Sequence, residues 1–506
     1  MKLGLAAIFG GGMVLQRDMP VPVWGTAPAG ETVSVSLSGL TAQAAAGEDG
    51  RWRADLPAGP AGGPYVLTVR CGGEELRREQ VWRGEVWLAG GQSNMELALK
   101  DSENGAFAVQ SSAHPRIHLY APAKVTTVEE AEALEGRDPP AWQISGPESA
   151  ACFSAVAWYA ARTLAEHLPG VHIGVISCCW GGTFAHCWMS REELASFPEG
   201  RRRIAEYDAR IGGKSDEAFA RELAAYQKEV DAWNERVAAR RRAEPDVAWE
   251  VLNERCGLYP WPPPAGRTGF QRPGNLYRAM LARLAPYALR GFWYYQGEQD
   301  EEWPQDYYAL LTRLIQLWRR DWEDAGKPFL LVQLPMYISK ADSLAGDPMR
   351  WPLLREAQAN AARSLPGVGM AVLADCGEFD NIHPVDKRTP GVRLGLLALE
   401  TVCRLPVTGV PPMCADARRE ENAAVVRFDC VGGGLTLDGG GFQLAGADGV
   451  FWEADAEIAA PDTVRVTAPG VPAPETVRYA WYSYGPAGLH GGTGLAAAPL
   501  EKRLAP

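Results

Sequence analysis

The sequence predicts an α/β fold, a doubly wound parallel sheet flanked by a smaller β-sandwich-like unit at each end. Three observations carry this. Between about residues 81 and 405, short segments apolar on both faces alternate with segments whose apolar residues recur at helical spacing. On either side of that region, short strands with period-two alternation are separated by Pro- and Gly-rich turns. The chain is 506 residues long, more than one ordinary core accommodates, so two or three domains are expected. The boundaries that follow are 1–80 for an N-terminal β domain, 81–405 for the α/β domain and 406–506 for a C-terminal β domain.

In the first region the strand candidates are 21–25, 32–37, 50–56 and 65–69. Residues 1–9 resemble a signal peptide superficially. They carry one lysine and a short apolar run broken by Gly10, Gly11 and Gly12, and the chain continues directly into strand-like sequence, so they read as part of the first domain. In the central region the strand candidates are 81–88, 171–178, 291–295, 329–334 and 368–373. Helix candidates are 153–168, 276–289, 307–322 and 353–365. This βαβ series implies right-handed crossovers and a ligand site at the carboxyl ends of the strands. Residues 191–270 interrupt it with a charged helical insertion, one or two helices over 201–242, followed by the irregular run Pro260-Trp261-Pro262-Pro263-Pro264. A lid, a dimerisation arm making a homo-oligomer, and a solvated helical hairpin all fit this segment. After Pro406, segments 423–428, 440–444, 463–466 and 477–481 read as strands.

The formal net charge of −12 argues against nucleic acid or an anionic membrane as the main partner. No stretch is long and apolar enough to span a membrane. The ten cysteines are scattered without any C-x-x-C, which argues against a zinc or redox site and fits free thiols in a cytoplasmic protein. No metal or other cofactor is expected.

The ends of the central strands carry the chemistry. The first runs into Gly90-Gly91-Gln92-Ser93-Asn94-Met95-Glu96, a serine at a strand-to-helix turn, where glycines allow the turn and a helix N-terminus offers unpaired N–H groups. Taken alone, that serine is as well explained as a helix cap. The second strand ends at Trp180-Gly181-Gly182-Thr183, the third at Gln296-Gly297-Glu298, and the last leads to 375–384, which holds Asp380-Asn381-Ile382-His383-Pro384. In a parallel sheet all four meet at one edge. A serine nucleophile needs an imidazole to take its proton and a carboxylate to orient that imidazole. Of the seven histidines, His383 lies in this row of loops with an acid three residues before it, Asp380. His186 is the rival imidazole, and Asp375, Glu378 and Asp386 are the rival acids. For the oxyanion of acyl transfer, the Ser93 N–H, a backbone N–H at Gly181 or Gly182 and the Gln296 side chain are candidate donors. Gln92 and Asn94, on either side of the serine, join them as candidate oxyanion or substrate contacts. Glu298 either binds substrate hydroxyls or anchors its loop, the second being preferred.

At these residues the chain resembles the SGNH (GDSL-like) hydrolases, in the form found in sialate O-acetylesterases. Residues 91–95, 177–188, 295–298 and 380–384 resemble that family's signature blocks in order. Segments 8–17, 22–25, 274–277 and 477–481 resemble its outlying regions. The resemblance implies an SGNH-type hydrolase domain and a serine esterase removing acetyl groups from sugar hydroxyls, with Ser93, His383 and Asp380 as triad. Two departures stand out. Gln299-Asp300 replaces the usual Ser-Asn or Ser-Asp pair, and Gly274 stands where serine is common; both bear on sugar specificity. Sialate is the substrate the resemblance implies, with Arg267, Arg272 and Arg278 as candidates for its carboxylate. Neutral acetylated xylan or mannan is the alternative, with aromatic residues near Trp180, Trp261 and Trp303 as platform. A non-catalytic glycan-binding protein and an esterase for lipid-like acyl chains are the remaining readings.

Overall fold

The computed structural model describes residues 2–244 and 247–505. Seven strands make the central part of its largest sheet: β1 (Glu74–Gly91), β2 (His114–Tyr120), β3 (Gln143–Ser145), β4 (His172–Cys179), β5 (Gly291–Tyr295), β6 (Phe329–Val332) and β7 (Val368–Ala371). Their spatial order is β3-β2-β4-β1-β5-β6-β7, all parallel except the edge pair β3–β2. The winding leaves β1 towards β2 and returns to its other side at β5, so β1 sits at the reversal point, where such sheets bind ligands. The strands are buried on both faces, as parallel strands under helical layers must be. Trp87 of β1 and Trp293 of β5 stack across the ladder with ring centroids 4.9 Å apart.

Register sets the site. Gly91, Cys179 and Tyr295, the last residues of β1, β4 and β5, lie level with one another. The chain therefore leaves the sheet side by side at Gln92, Trp180 and Gln296. Gly91 has φ +139°, and a Cβ there would stand 2.0 Å from the Tyr295 carbonyl oxygen, so only glycine fits this exit.

β1 is longer than the expected 81–88. Its first part, 74–83, pairs antiparallel with Gly62–Cys71, with Gln80 at φ +56° inside that stretch, and from Gly84 it enters the parallel ladder with β4. The N-terminal strands Val14–Gln16, Thr32–Leu37, Leu40–Ala45 and Gly62–Cys71 bring the central sheet to eleven strands, and Gly4–Leu5, Val21–Thr26 and Arg51–Leu56 form a separate three-stranded sheet. At the C-terminus, two antiparallel four-stranded sheets and a two-stranded pair follow residue 412.

Among the helices, Ala155–His167 packs on Arg388–Thr401 so closely that a Cβ at Gly391 would stand 2.5 Å from the Tyr159 Cβ. Pro304–Asp321 and Arg350–Ser364 fall where expected. The long helix expected over 276–289 is absent. Asn275–Ala279 and a single 3-10 turn, Leu281–Arg283, stand there, because Pro286 cannot continue a helix. The insertion contains Pro198–Ile211, Asp216–Ala243 and Trp249–Cys256. No helix among the described residues is long and apolar enough to cross a membrane.

Candidate active site

Ser93 opens a four-residue helix, Ser93–Glu96, immediately beyond Gly91 and Gln92. Its Oγ lies 2.8 Å from Nε2 of His383, which arrives from the long loop after β7. Residues 290 positions apart are thus brought to hydrogen-bond distance. Burial, and then the nearby Lys387 ammonium, push the His383 imidazole down to about 4. It is therefore neutral at ordinary pH and able to accept the serine proton at Nε2.

Asp380 is not where the triad expectation puts it. Its Oδ1 accepts the Lys340 N–H at 2.9 Å and its Oδ2 accepts from Asn253 Nδ2 at 3.2 Å. No hydrogen bond joins it to His383 among the described residues. The backbone explains this: Asp380 adopts φ +55°, and its N–H bonds the Ile338 carbonyl, so the side chain is directed to the start of the helix Lys340–Ala345. The rival acids do not replace it. Asp375 pairs with Arg393 at 2.6 Å and faces His490, Asp386 accepts the Thr389 N–H, and Glu378 accepts from Asn381 and from the Val385 N–H. The loop around His383 is held instead by Asn381, whose Oδ1 accepts the His383 N–H and whose Nδ2 donates to the His383 carbonyl, both at 3.0 Å. The site is a serine–histidine pair on a clamped loop. The rival His186 is buried, stacked on Phe184 and bonded to the Gln271 carbonyl.

Three expected oxyanion donors also have other partners. The Nε2 of Gln296 faces Gln92 Oε1, the Thr183 carbonyl and Asp300 Oδ2, three acceptors for two hydrogens, so it has none to give an intermediate. The Gly181 N–H donates to the Glu96 carboxylate, which also receives Lys124. Asn94, fully buried, donates to Glu298 Oε1 at 2.6 Å and to the Ile382 carbonyl at 2.9 Å. The backbone N–H groups of Ser93 and Gly182 have no acceptor among the described residues. Gly181 itself stays next to Ser93, since a Cβ on it would lie 3.2 Å from the Ser93 Cβ.

Gln92 proves to be a brace. Its Oε1 accepts from Gln296 Nε2, the Gly297 N–H and the Gln299 N–H, tying the exits of β1 and β5 together. Its own Nε2 has no partner among the described residues. Glu298 anchors, as preferred, but through the Asn94 amide; its Oε2 is buried without a partner, and burial pushes its carboxyl up to about 7. Asp300, one of the two departures, accepts both the Ala185 N–H and the Gln296 amide, linking the exits of β4 and β5. Its signal in the sequence was the departure itself. Lys387, buried beside Asn94, carried no signal, because lysines are rarely buried.

Aromatic rings border the serine. Trp180 stacks on Phe270, centroids 5.4 Å apart and planes within 2°, and the Lys124 ammonium lies 5.4 Å from the Trp180 ring. Trp261 is 44% exposed and reaches over the Gly182 backbone, where a Cβ would come within 2.5 Å of its ring. Trp303 is instead covered by the Arg203 guanidinium at 3.5 Å. Arg267 reaches Asp216, and Arg272 the Arg267 carbonyl.

No family model matches the chain. It is 27% identical to a sialate O-acetylesterase of Mus musculus over 414 residues, covering 76% of this chain and 70% of that one. It is 25% identical to the sialate O-acetylesterase of Homo sapiens over 415 residues, covering 76% and 68%. Among solved structures it is similar to a novel carbohydrate acetylesterase from Xanthomonas citri, with TM-score 0.76, 29% identity and 99% of each chain covered. The chain is thus similar to sialate O-acetylesterases over 76% of its length and to a carbohydrate acetylesterase over 99% of it.

Proposed function

We propose that the protein is an SGNH-type serine esterase that removes O-acetyl groups from sugars. The observation that carries this is the 2.8 Å contact between Ser93 Oγ and His383 Nε2 at the reversal point of the sheet. Ser93 attacks the acetyl carbonyl carbon as its proton passes to His383 Nε2. The oxyanion faces the unpartnered N–H groups of Ser93 and Gly182, at the start of the Ser93–Glu96 helix. Collapse breaks the bond to the sugar oxygen, which leaves with the His383 proton. Water then attacks the acetyl-serine, His383 again takes the proton, and acetate and free Ser93 result.

Sialate is the substrate class favoured by the names of the relatives. The stacked Trp180–Phe270 pair and the exposed Trp261 favour a second reading, a neutral acetylated glycan such as xylan or mannan lying on aromatic faces. Acetate release from O-acetylated sialic acids, acetylated xylan and acetylated mannan, with Ser93→Ala as control, separates the two. Release from none of the three sugars would reject both. The hydrolase unit spans 81–405, between β domains 1–80 and 406–506. A reducing cytoplasmic location is supported by ten cysteines, all unpaired.

A further inference from the structure

Lys387 is 1% exposed, and among the described residues no carboxylate lies within ion-pair distance of it. A lysine in that position is uncommon, because removing an ammonium from water is costly unless other groups solvate it. Here the solvating groups are specific. Its Nζ donates to Asn94 Oδ1 at 2.7 Å and to the Pro384 carbonyl. Asn94 is the residue after the nucleophile, and Pro384 is the residue after the histidine.

We propose that Lys387 is the positioning residue that holds the Ser93 and His383 loops in register. The proposal rests on the esterase reading of Ser93 and His383. An ammonium can only donate, so it obliges Asn94 to present Oδ1 to it. The Asn94 Nδ2 group is thereby turned to the Ile382 carbonyl and to Glu298. The carbonyls on both sides of His383 are then held from one centre, Ile382 by Asn94 and Pro384 by Lys387. Asn381 clasps the N–H and carbonyl of His383 itself. With the Asp380 carboxylate engaged elsewhere, backbone clamps of this kind hold the His383 loop against Ser93.

The same ammonium acts electrostatically. It disfavours a second positive charge on His383, and so works with burial to keep the imidazole neutral. The groups facing Lys387 are Glu298, Asp386, Glu378 and Cys376, together with His383. Glu298 is the acid joined to it through Asn94.

The test is Lys387→Met, similar in length and without charge, assayed by acetate release from a neutral acetyl ester together with the wild type and Ser93→Ala. The expected result is a fall in kcat of about 10- to 100-fold with KM within about twofold. The acid limb of the rate profile should also move up by about one pH unit, because the imidazolium is no longer repelled. Addition of ethylammonium to Lys387→Ala should restore part of the lost rate. A folded Lys387→Met protein with kcat within about threefold of wild type, or an unmoved acid limb, would overturn the role of Lys387 alone. An active Ser93→Ala protein would instead overturn the esterase reading. Should Lys387→Met not fold, Lys387→Gln, which keeps a donor, is judged by the same two criteria.

Discussion

The carboxylate of Asp380 receives the Asn253 amide at 3.2 Å, while the imidazole three residues further on receives nothing from it. A residue of the helical insertion therefore has the contact that a triad would give to the histidine. The expected consequence is that Asp380→Asn lowers kcat by less than about tenfold, against the roughly 10⁴-fold loss seen when a triad acid is neutralised. Steady-state kinetics on any acetyl ester decide it, and a loss near 10⁴-fold would show that the carboxylate turns to His383 during turnover.

In the proposed mechanism His383 sets the acid limit of activity. From the sequence alone the limb is expected near ~6.5, the ordinary imidazole value. In the structure burial, then Lys387, push it down to about 4. Only the neutral imidazole accepts the Ser93 proton, so the rate should hold from pH 8 down past pH 6 and fall as pH drops through about 4. Initial rates of acetate release across that range check this, and a half-maximal rate near ~6.5 would refute it.

Ser93→Ala should lower kcat by about 10⁴-fold or more while leaving the fold intact, because the Oγ makes no hydrogen bond other than that to His383 among the described residues. A serine-directed phosphonate should label the wild type and leave the variant unlabelled. Labelling of both to the same extent would place the nucleophile elsewhere.

The approach of the serine and the histidine was legible because Ser93 stands just past a strand end, His383 stands in a loop that follows another strand, and few histidines compete. That Asp380 bonds Lys340 and Asn253 rather than His383 was not legible, because nearness along the chain says nothing of a left-handed backbone, here φ +55°. β2 and β3 went unseen because His114, Pro115, Arg116 and His118 mask a strand whose burial begins only at Ile117. Gln296 and Asn94 were rightly placed at the sheet edge, but their hydrogen-bond partners come from other loops and leave no trace in local sequence. The domain limit at residue 80 falls inside β1, since composition changes there while the hydrogen-bonded strand continues.

Gln92 offers the clearest stability test of how the site is assembled. It is buried, and its single oxygen receives three donors, two of them backbone N–H groups at the exit of β5. Gln92→Leu keeps the volume and removes the acceptor. Gln296 retains the Thr183 carbonyl and Asp300, but the Gly297 and Gln299 N–H groups lose their only partner among the described residues. Leaving buried donors unsatisfied costs about 1–3 kcal/mol each, discounted for Gln299, which is partly solvated, so a loss of about 2 kcal/mol is expected. Equilibrium urea unfolding measures it, and kcat should fall as well, because Asn94 and Glu298 stand on the two exits that Gln92 joins. A variant as stable as the wild type would mean that water replaces Gln92 at this brace, and that the Gln92 N–H on the Tyr295 carbonyl and the Asn94–Glu298 bond suffice to hold the β1 and β5 exits together.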